Sequence, residues 1–175
     1  MVIFAITGKF QTGKTTLAQR LVTVLRDEGY TCGGVLCPGR DYRVYVNLIT
    51  GIAHQFYCPG DDLIDFDCRE ISEEAIEFGQ RAIKEAAKAG VDVLFVDEVG
   101  KLENQKEGFY QPLQNILPKR KKPVVTIIRN EVVPEFKKLF NVPLDRIWGL
   151  DVNTDRENIL MEIVAEISKS LHRVE

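Results

Sequence analysis

The sequence predicts an α/β domain, a mainly parallel β-sheet with helices on both faces. Three observations predict it. Short apolar runs alternate with segments of helical periodicity along the chain. The first run, Val2-Ile3-Phe4-Ala5-Ile6, leads through a glycine-bounded loop into a helix. A later run, Val91-Asp92-Val93-Leu94-Phe95-Val96, ends in the acidic pair Asp97-Glu98. Parallel strands put that loop and that pair on one sheet edge, where open α/β sheets bind ligands.

The 175 residues suit one domain, 1–175, with room for a real core. Apolar and charged fractions of 45% and 28% are those of a globular chain, which argues against disorder and against a membrane protein. No apolar run nears the roughly 20 residues of a spanning helix. The N-terminus goes straight into a strand without a basic region, so no signal peptide is expected. A net charge of −3 gives no general pull toward nucleic acid. The expectation is a monomeric, cytoplasmic protein. None of the four cysteines, Cys32, Cys37, Cys58 and Cys68, forms C-x-x-C. They read as small buried hydrophobes in a reducing compartment. Cys37 and Cys58 each open a Cys-Pro-Gly tripeptide, so those two thiols could also lie close together.

In chain order, the first strand runs into Gly8-Lys9-Phe10-Gln11-Thr12-Gly13-Lys14-Thr15. This is G-x-x-x-x-G-K-[ST], a loop whose glycines let the backbone wrap an anion while N–H groups and a helix dipole face it. Lys14 would reach the β- and γ-phosphates, and the Thr15 hydroxyl would hold Mg²⁺. Thr16 belongs to the same nucleotide-binding run. Leu17, Leu21, Val24 and Leu25 give the following helix an apolar stripe, and Gly29 can end it in a left-handed conformation.

Tyr30 to Cys37 reads as a second strand, stopped by Pro38-Gly39. Tyr42, Val44, Val46 and Leu48 alternate with polar residues as a half-buried strand. Thr50-Gly51 turns it back through Ile52 to Tyr57, so a β-hairpin insertion is expected near 42–57, outside the parallel core. Residues 58–70 read as loop; Asp61, Asp62, Asp65 and Asp67 lack EF-hand spacing and are taken as solvated rather than as a metal site.

Ser72 is a candidate N-cap for a helix carrying Ala75, Phe78, Gly79, Ala82, Ile83 and Ala86 on one face down to Gly90. The strand that ends in Asp97-Glu98 comes next. Phe109 to Leu117 reads as a helix that starts late or kinks at Pro112. The basic run Lys119-Arg120-Lys121-Lys122 is a solvated loop or a phosphate contact, the former preferred. Val124 to Ile128 is the fourth strand, Pro134 opens a short helix, and Ile147 to Leu150 is the fifth strand. Thr154-x-x-Glu157 reads as a capping box for a last helix striped by Leu160, Ile163, Val164, Ile167 and Leu171.

An acidic residue ending a buried strand is the partner a phosphate loop needs. Asp97 can orient the Mg²⁺ shell opposite Thr15. Glu98 can accept a proton from a water attacking the γ-phosphate. Alternation along an extended chain is expected to aim the two carboxylates at metal and water respectively.

With Gly8 to Thr15 in front, the run Val96-Asp97-Glu98-Val99-Gly100-Lys101-Leu102-Glu103 resembles the small P-loop nucleoside-triphosphatase family that includes the cancer-related nucleoside-triphosphatase. The resemblance covers essentially the whole chain. It implies a three-layer P-loop fold with one strand inserted between the phosphate-loop and Asp-Glu strands. It also implies slow, Mg²⁺-dependent hydrolysis of several NTPs (ATP, GTP, CTP and UTP) to diphosphate and phosphate. Gly100 and Lys101 then join the nucleotide site, with Glu103 nearby and next in line as a base. Relatives tend to carry Asn-Arg-Asp near the C-terminus where this chain has Asp155-Arg156-Glu157. The capping-box reading accounts for that stretch, and no role passes to Arg156. The inserted strand is expected to be Val124–Ile128, with the strand near Ile147–Leu150 on the other side of the phosphate-loop strand. Arg129 and Asn130 would then face the γ-phosphate.

Two other classes fit parts of the pattern. A small-molecule kinase would need an acceptor pocket and a basic lid, for which Arg40, Arg43 and the 119–122 run are the candidates. A nucleotide-dependent binding switch would use Asp97-x-x-Gly100, but the chain has no Asn-Lys-x-Asp or Thr-Lys-x-Asp to read guanine. Poor base selectivity follows from that lack.

Overall fold

A computed structural model describes residues 2–40, 42–56 and 71–173. Its seven strands form one sheet in the order β4-β3-β2-β5-β6-β1-β7. These are β1 Ile3–Gly8, β2 Cys32–Leu36, β3 Val44–Asn47, β4 Ala53–Gln55, β5 Val93–Val99, β6 Val124–Arg129 and β7 Arg146–Leu150. Helices are α1 Lys14–Asp27, α2 Glu73–Ala89, α3 Lys101–Asn104, α4 Tyr110–Ile116, α5 Val133–Phe140 and α6 Arg156–Leu171. β6 lies between β1 and β5 and parallel to both, and β7 flanks β1 on the far side. The expected insertion is therefore present. The hairpin β3–β4 extends the same sheet, antiparallel, beyond β2.

Successive residues of a strand face opposite ways, so one strand feeds two cores. Phe4 and Ile6 of β1 pack with Leu17, Leu21 and Leu25 of α1 and with Leu160, Ile163 and Ile167 of α6. Ile3 and Ala5 pack on the other side with Ala82 and Ile83 of α2, Leu113 of α4 and Phe136 of α5. Each such fully buried aliphatic chain contributes about 1.5–3 kcal/mol, which makes the strands the least movable part of the molecule. The phosphate loop leaves the end of β1, and Asp97-Glu98 lies at the end of β5.

Several local expectations hold with a physical cause. Ser72 Oγ accepts from Ala75 N at 3.1 Å, capping α2. Pro112 is the third residue of α4, where a missing N–H costs no helix bond. Pro134 is the second residue of α5 rather than its first.

Others are corrected. In β3 the more buried residues are Tyr45 and Asn47, not Val44 and Val46. Tyr45 packs on the rings of Phe56 and Phe109, and Asn47 Oδ1 accepts from Ile49 N at 2.9 Å to build the hairpin turn. The turn chemistry outweighs the apolar alternation. The cap of α6 is Asp155, whose carboxylate accepts from Glu157 N and Asn158 N, each at 3.1 Å. Thr154 Oγ1 instead accepts from Asp151 N at 2.8 Å, and Glu157 pairs with Arg20, so the capping box does not form. Cys32 and Cys37 are buried, as small hydrophobes would be. Burial pushes the Cys32 thiol up to about 11 and that of Cys37 well up. Cys58, Cys68 and the aspartates of 61–67 lie outside the described residues.

The basic run 119–122 precedes β6 and so lies at the sheet edge opposite the phosphate loop, out of reach of any phosphate bound there. It closes that edge instead. Asp92 accepts from Thr31 N at 2.8 Å, from Thr31 Oγ1 at 2.7 Å and from Lys122 Nζ at 2.8 Å. Arg120 donates to Val91 O at 2.7 Å. Burial raises the Asp92 pKa, but the hydrogen bonds from Lys122 and Thr31 outweigh it and hold the carboxyl down at about 2. A carboxyl depressed in the folded state stabilises above its unfolded pKa of about 3.9 and loses that contribution as pH falls through the folded value. Asp92→Ala is expected to cost about 2 kcal/mol in urea unfolding at neutral pH. The gap to wild type should narrow below about pH 4. An unchanged urea midpoint at neutral pH would contradict this.

Candidate active site

At the carboxyl end of β1 the chain turns sharply. Gly8 has φ +153°, and a Cβ there would lie 2.6 Å from Leu150 O, so only glycine fits. Gly13, at φ +82°, caps α1 without a side chain, and the first turn of α1 holds no acidic residue. The helix start is thereby left electropositive and open to an anion. Lys14 Nζ donates to Gly8 O at 3.2 Å and to Lys9 O at 2.7 Å, folding the ammonium over the loop. Burial pulls the Lys14 pKa below its usual value, against the raising effect of Glu98 and Asp97.

Thr15 Oγ1 donates to Asp97 Oδ2 at 2.8 Å, which joins α1 to β5 across the end of β6. Asp97 is buried and also accepts from Cys37 N at 3.0 Å and from Glu98 N at 2.8 Å. Burial, reinforced by the charge of Glu98, pushes its carboxyl up to about 7 despite those hydrogen bonds. Such a group, beside a hydroxyl and in no salt bridge with a lysine or arginine among the described residues, suits a divalent cation. Thr15 and Asp97, joined by that hydrogen bond, are the groups here that could hold a divalent cation.

β5 does not stop before the acidic pair; it continues to Val99 with a register shift between Asp97 and Val99. Glu98 is the extra residue, at φ +62°. Simple alternation therefore does not separate the two carboxylates. The bulge does, turning Glu98 into the same cleft that Asp97 lines. A left-handed non-glycine residue stores about 1–3 kcal/mol, and such residues cluster at functional sites. Glu98 forms an ion pair with Arg43, which enters from the start of the hairpin.

Glu103 is buried and accepts from Gly100 N at 2.6 Å and from Phe109 N at 2.7 Å. These two bonds clamp the Gly100–Lys101 segment, and Glu103 also lines the cleft, where burial raises its pKa. Phe10, Gln11, Thr12, Gly13, Thr16, Gly100 and Lys101 line the cleft with Lys14, Thr15, Asp97 and Glu98, enclosing about 1120 Å³. Gly8 and Lys9 are not among its lining residues; their carbonyls accept from Lys14 Nζ behind it. Arg129, at the end of β6, stacks over the exposed Phe10 ring at 5.3 Å and also lines the cleft. Asn130 starts a 3-10 turn and is not among the lining residues.

Two arginines escaped the sequence reading as site residues of a hydrolase. Arg156 Nη2 donates to Thr12 O and to Asp151 O, each at 3.2 Å, pinning the phosphate loop from outside. The departure from Asn-Arg-Asp was the available signal, hidden by the capping-box reading. Arg43 was weighed only as part of a kinase lid, because nothing in the sequence placed the hairpin against Glu98.

A model of a family described as NTPase matches residues 3–165. The nucleoside-triphosphatase THEP1 of Pyrococcus abyssi is 28% identical over 98% of this chain and 96% of its own. That of Methanocaldococcus jannaschii is 28% identical over 95% and 97%. Among solved structures, THEP1 from Aquifex aeolicus superposes with a TM-score of 0.74 at 21% identity, covering 95% of this chain and 99% of that one. A human cancer-related nucleoside triphosphatase superposes at 0.70 and 19%, covering 97% and 99%. At those identities the superpositions speak for the fold alone. The family match spans nearly the whole chain, including the phosphate loop and the Asp97-Glu98 strand end, and the protein belongs to this NTPase family.

Proposed function

We propose that the protein hydrolyses nucleoside triphosphates, among them ATP, GTP, CTP and UTP, to diphosphate and phosphate, slowly, with Mg²⁺ and with little base selectivity. The observation that carries this is the Thr15–Asp97 hydrogen bond of 2.8 Å, which brings the phosphate loop and the Asp-Glu strand into one cleft. Bound Mg²⁺ would neutralise phosphate charge. The chain supplies the rest. Loop N–H groups and Lys14 hold the β- and γ-phosphates. A water oxygen bonds to the γ-phosphorus, its proton passes to Glu98, and the bridging P–O bond breaks with its electrons leaving on the diphosphate. The family match and the names of the relatives support this reading. The described helices include none long and apolar enough to cross a membrane.

Transfer to an acceptor other than water is the second reading, since Arg40 and Arg43 line the same cleft. One screen decides: phosphate release from each NTP, with Mg²⁺ or with EDTA, alone and with candidate hydroxyl acceptors. Acceptor-independent, Mg²⁺-dependent release from several NTPs is the expected result. No release without an acceptor would overturn the hydrolase reading in favour of the kinase.

A further inference from the structure

We propose that Arg43, delivered by the β3–β4 hairpin, is a catalytic arginine supplied in cis, which contacts the γ-phosphate while paired with Glu98. The inference rests on the hydrolase reading above. Four observations converge on it. Arg43 forms an ion pair with Glu98, the residue placed to take the proton from water. Its side chain is only 11% exposed, whereas Arg129 lies on the exposed lip and Arg156 is committed to loop carbonyls. Its guanidinium lies over the Phe56 ring at 4.5 Å, and both residues line the cleft. Its backbone is fixed by Phe56 N donating to Arg43 O at 3.0 Å and Val44 N donating to Pro38 O at 3.2 Å.

The chemistry follows from the guanidinium fork. It carries five N–H donors and accepts nothing, so one edge can stay on Glu98 while another donates to γ-phosphate oxygens. Charge grows on those oxygens and on the leaving oxygen as the P–O bond breaks. A donor already fixed in a partly dry site stabilises that charge without reorganising. Arg43 exchanges no proton; the water proton still goes to Glu98 and the electron pair still leaves with the diphosphate. The hairpin acquires a reason to exist, because it is the element that carries this cation to the sheet edge. Without nucleotide the same ion pair occupies the carboxylate and holds the arginine in place.

The test compares wild type, Arg43→Ala and Arg43→Lys, with Lys14→Ala as a control. It reads single-turnover phosphate release, nucleotide affinity, and the tightening of diphosphate binding caused by aluminium fluoride, which mimics the transferring phosphoryl group. Arg43→Ala is expected to slow turnover by about 10²–10⁴-fold, within or somewhat below the range of arginine fingers elsewhere. It should bind NTP within a few-fold of wild type and lose the aluminium-fluoride tightening, a readout that a purely structural role would leave intact. If the alanine variant does not fold, Arg43→Lys decides, since a point charge cannot make the forked contact and should lose most of the tightening. Turnover equal to or faster than wild type, or tightening retained, would overturn the proposal and leave the hydrolase reading standing. A wild-type protein that releases phosphate from no NTP would overturn that reading, and this inference with it.

Discussion

Lys14→Ala is expected to lose nearly all triphosphate binding and to reduce kcat/KM by at least about 10³-fold. The ammonium already folds over the loop, donating to Gly8 O and Lys9 O, so it is positioned before any phosphate arrives. Its partial burial, which depresses its pKa, also strengthens its attraction for a polyanion. Lys9 of the loop and Lys101 across the cleft do not stand at the start of α1, where Lys14 is placed. The fold should survive, because the strands and α1 are held by Leu17, Leu21 and Leu25 against Phe4 and Ile6. The measurements are nucleotide titration, phosphate release and a melting curve. Near-normal turnover in a folded variant would remove the loop from the mechanism.

The second large effect concerns Glu98→Gln. Glutamine keeps size and shape, still accepts from Arg43, and cannot take up the proton of the attacking water. Binding of NTP with Mg²⁺ should remain near wild type while the single-turnover rate falls by about 10²–10⁴-fold, trapping the triphosphate. Asp97→Asn should behave differently, weakening metal-dependent binding, because Asp97 is the group bonded to Thr15. Wild-type hydrolysis by Glu98→Gln would mean that Glu98 is not the base and would turn the test to Glu103, which also lines the cleft. Failure to bind nucleotide would place Glu98 in the metal site instead.

Those residues were legible in the sequence because their chemistry requires special types at fixed spacing. Gly8 and Gly13 sit where backbone geometry excludes side chains, and Asp97 ends an apolar run that had to be a buried strand. The strand order β5-β6-β1 was also legible, through the resemblance carried by the Asp-Glu run. The conformation of Glu98 was not. A bulge that forces a glutamate to φ +62° arises from pairing with β6, and it leaves no mark in local propensity. The face presented by β3 was misread for a related reason. Tyr45 is buried by contacts with Phe56 and the distant Phe109, which no short window contains. At the start of α6 two adjacent residues, Thr154 and Asp155, were both competent caps. The choice fell to Asp155 because Asp151 already claims Thr154, and it leaves Arg156 turned toward Thr12.

The position of β6 sets a distance as well as an order. Neighbouring strands lie about 4.8 Å apart, so the ends of β1 and β5 stand roughly 10 Å from each other. With one strand between them the sheet edge acts as a ruler two strand-widths long. Thr15 and Asp97 close part of that span by direct contact. Glu98, displaced by its bulge, lines the cleft that remains between the two strand ends. The reach from the phosphate loop to the acidic strand end is thus written into the strand spacing of the sheet itself.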